Sequence, residues 1–375
     1  MTASGAVTTE APRRRPAART LGSALDGPDN ALNAIRLCLA LLVILGHAFP
    51  LGGFEPFKVG PFVHGGLHGY AVEAFFVISG YLIFASGMRS TTLGYLWRRL
   101  LRIYPAWLVA ITATAFIAAP LGARLEAGAT WEWRSALGYV LGALDLKPSQ
   151  DGVDSTLLTV PWTGTWNGSL WTLFYEAVAY LGIALLCAWA PVRARLTKLV
   201  PAAAGALTIA YVALPPGTVA DMAPGALGAI AENGLRLWTF FAWGMVAYIY
   251  RDRIRATPLA AAVAGIMFLL AAHLTGIPAW MSTALTIPSL SIAVLFAGVL
   301  LPWKFGRTTD LSYGTYVYAF PVQQLLVLLG VAQYGWAVTA LSCVAVTLPL
   351  AWLSWKLIEQ PALRMKGLVP GARAQ

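Results

Sequence analysis

Charge is scarce in this chain. Asp, Glu, Lys and Arg make up 11% of its 375 residues, against about 25% in ordinary soluble domains. That excludes a soluble globular enzyme. Cysteine is scarcer: Cys38, Cys187 and Cys343 all fall inside apolar runs. They show neither metal-ligand spacing nor a disulfide pattern, so each reads as a small packing residue and no metal is expected. The short alternating strands of a membrane barrel are missing too, and so is any internal repeat. Acidic residues number only 16 against 26 basic ones, a net charge of +10. That excess would suit nucleic acid if it were clustered, but it follows the apolar runs instead.

Those runs are long, and 58% of the chain is hydrophobic. The expected fold class is all-α, a polytopic transmembrane helix bundle of about ten spans. The spans read as 31–51, 69–87, 103–122, 169–190, 199–215, 235–250, 258–274, 284–302, 312–330 and 337–356. An even count places both termini on one side, and 20 of the 26 Lys and Arg residues fall there. They include the Arg13–Arg15 cluster, Arg89, Arg251, Arg253 and Arg364. The positive-inside rule then makes both termini cytoplasmic. Segment 134–146 is too short to cross and lies among Trp131, Trp133 and Trp162; it reads as a short re-entrant or surface helix in an external segment, 123–168. Residues 1–29 read as a Pro/Ala/Arg-rich disordered cytoplasmic tail and 364–375 as a C-terminal cytoplasmic tail. The domain between, 30–363, carries the function, with no soluble catalytic domain expected at either end and the first run read as an uncleaved anchor.

Against that apolar background, polar residues at hydrocarbon depth stand out. Arg36 and His47 lie eleven residues apart in the first span. That is close to three helical turns, so they share one face about 16 Å apart along the axis. Asn33 extends the stripe. Glu73 in span 2 and Glu176 in span 4 fall at a depth similar to His47, and a carboxylate beside an imidazole makes an acid–base site. At the cytoplasmic end, WRRLLRIYP carries Arg98, Arg99 and Arg102, whose guanidinium forks suit phosphate oxygens. His64 and His68, in VHGGLHG, read as solvated loop residues. His273 reads as a satisfied core or surface histidine. Most aromatics read as interface or packing residues, with Trp162 and Trp166 as candidates for stacking on sugar rings.

Six strings in order carry a resemblance: the Arg36/His47 pair, VEAFFVISGYLI, RRLLRIYP, GSLWTLFYE, LSYGTYVYAFP and LIEQP. Over about 30–363 the chain resembles acyltransferase family 3, the multi-spanning O-acyltransferases, and YAFPVQQ resembles their polysaccharide or O-antigen O-acetylase branch. The resemblance implies a bacterial cytoplasmic-membrane enzyme with an acyl-CoA donor, acetyl-CoA being usual. It implies His47 as the essential histidine, with Arg36 its paired arginine and Arg99 and Arg102 the paired cytoplasmic arginines. It also implies Glu176 as the acid of a Trp-x-x-x-x-Glu motif starting at Trp171. Ser79-Gly80 reads as a bend or close helix contact. One position departs: where many members carry a histidine in a late Tyr-x-x-His-x-Pro string, this chain has Ala319, so no acid–base role falls there.

The expected activity is transfer of an acyl group to a hydroxyl of a surface or exported glycan, or of a lipid-linked saccharide. His47, Glu176 and Glu73 are the catalytic candidates; Arg36, Arg98, Arg99 and Arg102 are the donor-binding ones. The bilayer is an expected partner and nucleic acid is not; self-association is left open. Two alternatives stand beside this reading. One is acylation of a small secondary metabolite such as a macrolide sugar. The other, of a different class, is a proton-coupled transporter, which uses the same intramembrane residue types.

Overall fold

The computed structural model describes residues 20–27, 29–55, 66–222, 225–273, 276–303, 305–306 and 309–369. His64 and the Arg13–Arg15 cluster lie outside them. Among the described residues all regular structure is helical, apart from one antiparallel bridge between Thr20 and Arg255.

Ten long helices coincide with the ten apolar runs. They are α1 (Leu32–Gly52), α2 (Leu67–Arg89), α3 (Thr92–Ala113), α4 (Thr172–Ala188), α5 (Leu196–Ala213), α6 (Ala226–Ile249), α7 (Pro258–His273), α8 (Ala279–Leu300), α9 (Ser312–Leu328) and α10 (Trp336–Ser354). Both α3 and α10 run on through a π-helical turn, Thr114–Ala118 and Trp355–Glu359 respectively. Six segments are long and apolar enough to cross a membrane: α1, α2, α3 and α10 with their extensions, α5 and α8. The apolar α4 and α7 are shorter, while α6 and α9 are interrupted by polar residues such as Arg236, Gln323 and Gln324. Segment 134–146 holds a nine-residue helix, Trp133–Leu141, about 13 Å long and too short to cross.

Close helix contacts rest on missing side chains, as expected where apolar packing rather than water exclusion holds helices together. A Cβ on Gly80 of α2 would strike the Phe241 carbonyl of α6, and one on Gly244 of α6 would strike the Val77 carbonyl of α2. This crossing is the close contact expected of Ser79-Gly80. α1 packs on α2, α9 and α10, which brings its polar stripe into the middle of the bundle.

Residues 20–27, read from the sequence as part of a disordered tail, are docked. The Leu21–Leu25 helix buries Leu21 and Leu25, and the Leu21 amide donates to the Ile254 carbonyl at 2.9 Å. Asp26 accepts from Arg89 at 2.8 Å and lies 3.6 Å from Arg251. The apolar LGSAL segment was hidden in a polar context, and its partner surface is far away in sequence. These contacts tie the pre-helical segment, the first return loop and the 250–255 loop to one end of the bundle.

Candidate active site

The site has two ends, both built on α1. At one end Arg36 meets Asp310, which lies in the loop before α9. Arg36 Nη1 donates to Asp310 Oδ2 at 2.7 Å, and Arg102 Nη2 of α3 donates to the same oxygen at 2.5 Å. Arg102 Nη1 also reaches Glu359 Oε2 at 3.2 Å. The π-turn at Trp355–Glu359 widens the α10 extension by one residue and sets Trp355 and Glu359 together against Arg102. The Arg102 guanidinium lies 5.6 Å from the Tyr313 ring centroid and 6.0 Å from that of Trp355. Burial alone would raise the Asp310 carboxyl. The Arg102 and Arg36 guanidiniums, with hydrogen bonds from Ser312, outweigh it and hold Asp310 well below the usual carboxylate range.

Within this end, two cations are matched by two anions. Arg98 and Arg99 add the surplus positive charge. Arg98 turns back to the Ser90 hydroxyl, and Arg99 lies 5.7 Å from the Tyr180 ring centroid with its Nε buried and unpaired. A guanidinium has five donors, so Arg36 and Arg102 keep donors beyond those given to Asp310 and Glu359.

At the other end His47 is buried. Its Nδ1 lies 2.9 Å from the Val43 carbonyl, one turn back. A carbonyl can only accept, so this contact places the proton on Nδ1 of the neutral ring and leaves the lone pair on Nε2. Three rings surround His47: His68 of α2 at 4.5 Å between centroids, Phe320 of α9 at 5.5 Å and Trp162 at 6.5 Å. Gly46 makes the His68 approach feasible. A Cβ there would come within 2.8–2.9 Å of the His68 Cβ, backbone nitrogen and Nδ1. Gln323 donates to the Ile44 carbonyl of α1 at 2.9 Å, and Gln324 donates to the Trp162 and Thr165 carbonyls, both at 2.8 Å. The two glutamines therefore tether α9 to α1 on one side and to the segment that carries Trp162 and Thr165 on the other.

Between the ends lies a small cavity of about 50 Å³. Its walls include Arg36, Phe75, Ser79, Glu176, Tyr313 and Tyr316. Glu176 Oε1 accepts from Tyr180 at 2.6 Å and from Ser79 at 3.1 Å. Glu73 lies 3.9 Å from Arg236 of α6, whose guanidinium is 5.9 Å from the Trp171 ring centroid.

The structure therefore brings Arg36 and Arg102 together and sets Arg36 and Glu176 on one cavity wall. It brings neither expected carboxylate to His47. Glu176 is held by the hydroxyls of Ser79 and Tyr180, and Glu73 by Arg236; the Val43 carbonyl orients the imidazole instead. Depth along separate helices did not reveal which faces meet. His68, read from the sequence as a solvated loop residue, sits in the first turn of α2 against His47; its signal was the glycine beside His47. Asp310 and Glu359 were missed altogether. With only 16 acidic residues in the chain, a count of which could neutralise buried arginines would have raised both. Trp166 is fully buried, its Nε1 on the Thr156 hydroxyl at 2.8 Å, so it offers no face to a sugar.

A helical membrane bundle with an imidazole at one end of a central helix and a guanidinium cluster at the other defines a class of intramembrane site. The acyltransferase domain family, acyltransferase family 3, has a model that matches residues 29–356, and the chain belongs to that family. An O-acetyl transferase of Shigella phage Sf6 is 28% identical over 351 residues, spanning 88% of this chain and 95% of its own length. Nodulation protein 10 of Rhizobium leguminosarum bv. viciae is 28% identical over 379 residues, spanning 91% and 95% respectively. No solved structure matches.

Proposed function

We propose that this membrane acyltransferase moves an acyl group, an acetyl, from an acyl-CoA to a hydroxyl of a surface or exported glycan in a bacterial cytoplasmic membrane. The observation that carries the reading is the polarised α1 stripe: a tautomer-fixed His47 about 16 Å along the helix from guanidiniums with donors to spare. The 28% identity to a protein named as an O-acetyl transferase supports the oxygen acceptor and the acetyl group. The positive-inside bias puts the arginine end in the cytoplasm, where acyl-CoA is found.

In this reading Arg99 and Arg98, with the spare donors of Arg36 and Arg102, hold the anionic phosphates of the donor. Its thin arm lies along α1 and brings the thioester to His47. His47 Nε2 takes the proton of the acceptor hydroxyl. The oxygen attacks the thioester carbonyl, a C–O bond forms, the C–S bond breaks, and the imidazolium returns its proton to the departing sulfur, releasing the thiol and restoring neutral His47. The imidazolium is steadied by the Val43 carbonyl and by the flanking rings of Trp162 and Phe320, not by a carboxylate. Base catalysis of this kind is worth about 10²–10⁴-fold.

The test is transfer of labelled acetyl from acetyl-CoA to total glycan extract, using membranes that contain the parent or His47→Ala. Label in glycan from the parent, with a loss of about 10²-fold or more in the variant, is the expected result. Full activity in His47→Ala, with both proteins present at equal level in the membrane, would remove His47 from the chemistry.

A further inference from the structure

A second cavity, of about 810 Å³, opens between α1, α2, α7 and α8, within the size range of ligand pockets. Its walls are almost wholly apolar. On α1 they are Leu39, Leu42, Gly46, Phe49 and Pro50, one stripe about 16 Å long at 1.5 Å per residue. That is about half of a 30 Å hydrocarbon core, so the cavity is one leaflet deep.

Polarity along the cavity is graded. The deep end is made by Leu39, Ala74, Leu290 and Val294. The shallow end holds His68 and His273. His68 is in ring contact with His47, and Gly46 forms wall on the cavity side immediately beside it. The cavity therefore runs up to the reaction centre from the side away from the arginines. It also has a lateral edge. α7 packs chiefly on α8, and its side toward α2 is closed by the edge contact of Phe268 with Tyr70, 5.2 Å between centroids. Leu269, in the cavity wall, is 56% exposed.

We infer that this cavity binds the hydrocarbon chain of a lipid-linked saccharide, the acceptor of the transfer, and so presents its sugar hydroxyl to His47. The inference rests on the acyl-transfer reading above. A chain lying parallel to α1 with its head toward His68 matches the apolar-to-polar gradient, the one-leaflet depth and the lateral edge. A water-soluble acceptor would need none of these. The donor and acceptor then reach His47 from opposite ends of the same helix.

The test uses purified protein, labelled acetyl-CoA and two acceptors: lipid-linked saccharide extracted from host membranes, and the same saccharide freed from its lipid by mild acid. Ala293→Trp places a large ring in the cavity wall; Ala293→Phe is the milder variant. Expected are a preference of the parent for the lipid-bearing acceptor and a loss of at least about tenfold in its kcat/KM in the variants, equivalent to about 1.4 kcal/mol. Transfer to the freed saccharide should stay within about twofold of the parent, which also shows that the variants are folded. Equal losses with both acceptors would assign the cavity to a structural bilayer lipid and overturn the inference. So would undiminished transfer to the lipid-bearing acceptor in both variants. No label on either acceptor from the parent would remove the transfer reading itself, and this inference with it.

Discussion

Asp310→Asn tests whether the arginine end is built as it appears. The change keeps the size of the side chain and a carbonyl oxygen for Ser312, but removes the charge shared by Arg36 and Arg102. Their two guanidiniums bond one oxygen, at 2.7 and 2.5 Å. Without the anion, the group of Arg36, Arg102, Asp310 and Glu359 loses one negative charge. Removing one partner of a fully buried pair costs about 3–5 kcal/mol. Here the three side chains are 12–22% exposed, so water screens part of the repulsion and about 1–3 kcal/mol is the reasoned cost. That should lower the thermal midpoint of the purified protein by several degrees, roughly 2–4 °C per kcal/mol at most in a chain of this size. Arg36 and Arg102 also lose their aim, so KM for acetyl-CoA should rise more than kcat falls. The pH dependence has a definite sign. A carboxyl whose folded pKa is depressed contributes stability above its unfolded pKa and loses it as pH falls through the folded value. Since Asp310 is held well below the usual range, the parent should keep this contribution down to pH 5 and lose it only in stronger acid. An unchanged midpoint together with an unchanged KM would refute the account of Asp310 as the group that positions the two arginines.

Gly46→Ala introduces a Cβ that overlaps His68 at 2.8–2.9 Å; it should separate the two histidines and cut transfer at least about tenfold, a few kcal/mol of overpacking being enough. Retention of parent activity by this variant would show that the His47–His68 contact is incidental. Glu126, just beyond the α3 extension, accepts from the backbone and hydroxyl of Thr159. Burial alone would raise its carboxyl, but these hydrogen bonds lower it, so its contribution, about 1.5–3 kcal/mol for bonds to a charged group, is present at neutral pH and fades as pH falls through the lowered value. Glu126→Gln should therefore be less stable than the parent near pH 7, with the gap closing in acid; parallel melting curves at both pH values would contradict that sign.

What the sequence made legible was set by period and length. Each apolar run coincided with a helix because bilayer-length apolar segments leave the backbone no other satisfied conformation. The short Trp133–Leu141 helix was legible for the same reason in reverse. The Arg36–His47 stripe was legible because both residues sit on one element, where spacing alone fixes the face. Contacts between elements were not. Glu73 and Glu176 were set beside His47 on depth along their own helices, but depth is one coordinate and contact needs three. Asp310 lies in a loop, where no periodicity speaks, and Glu359 reaches Arg102 through a π-turn that breaks the 3.6-residue register on which facing arguments depend.

The distribution of charge across the site gives a reason for that arrangement. At hydrocarbon depth an unmatched charge is expensive, and the buried carboxylates described here each meet a cation or hydroxyl donors: Asp310 and Glu359 with arginines, Glu73 with Arg236, Glu176 with Tyr180 and Ser79. A carboxylate beside His47 would be one more buried charge to match, although it would also stabilise an imidazolium. In the proposed reaction the neutral Val43 carbonyl fixes Nδ1 within aromatic walls and leaves Nε2 to take the acceptor proton. Among the described residues the Val43 carbonyl, not a carboxylate, orients His47, so the site adds no further buried anion there. In that proposed reaction the cation formed in the transition state is balanced by the departing thiolate formed beside it.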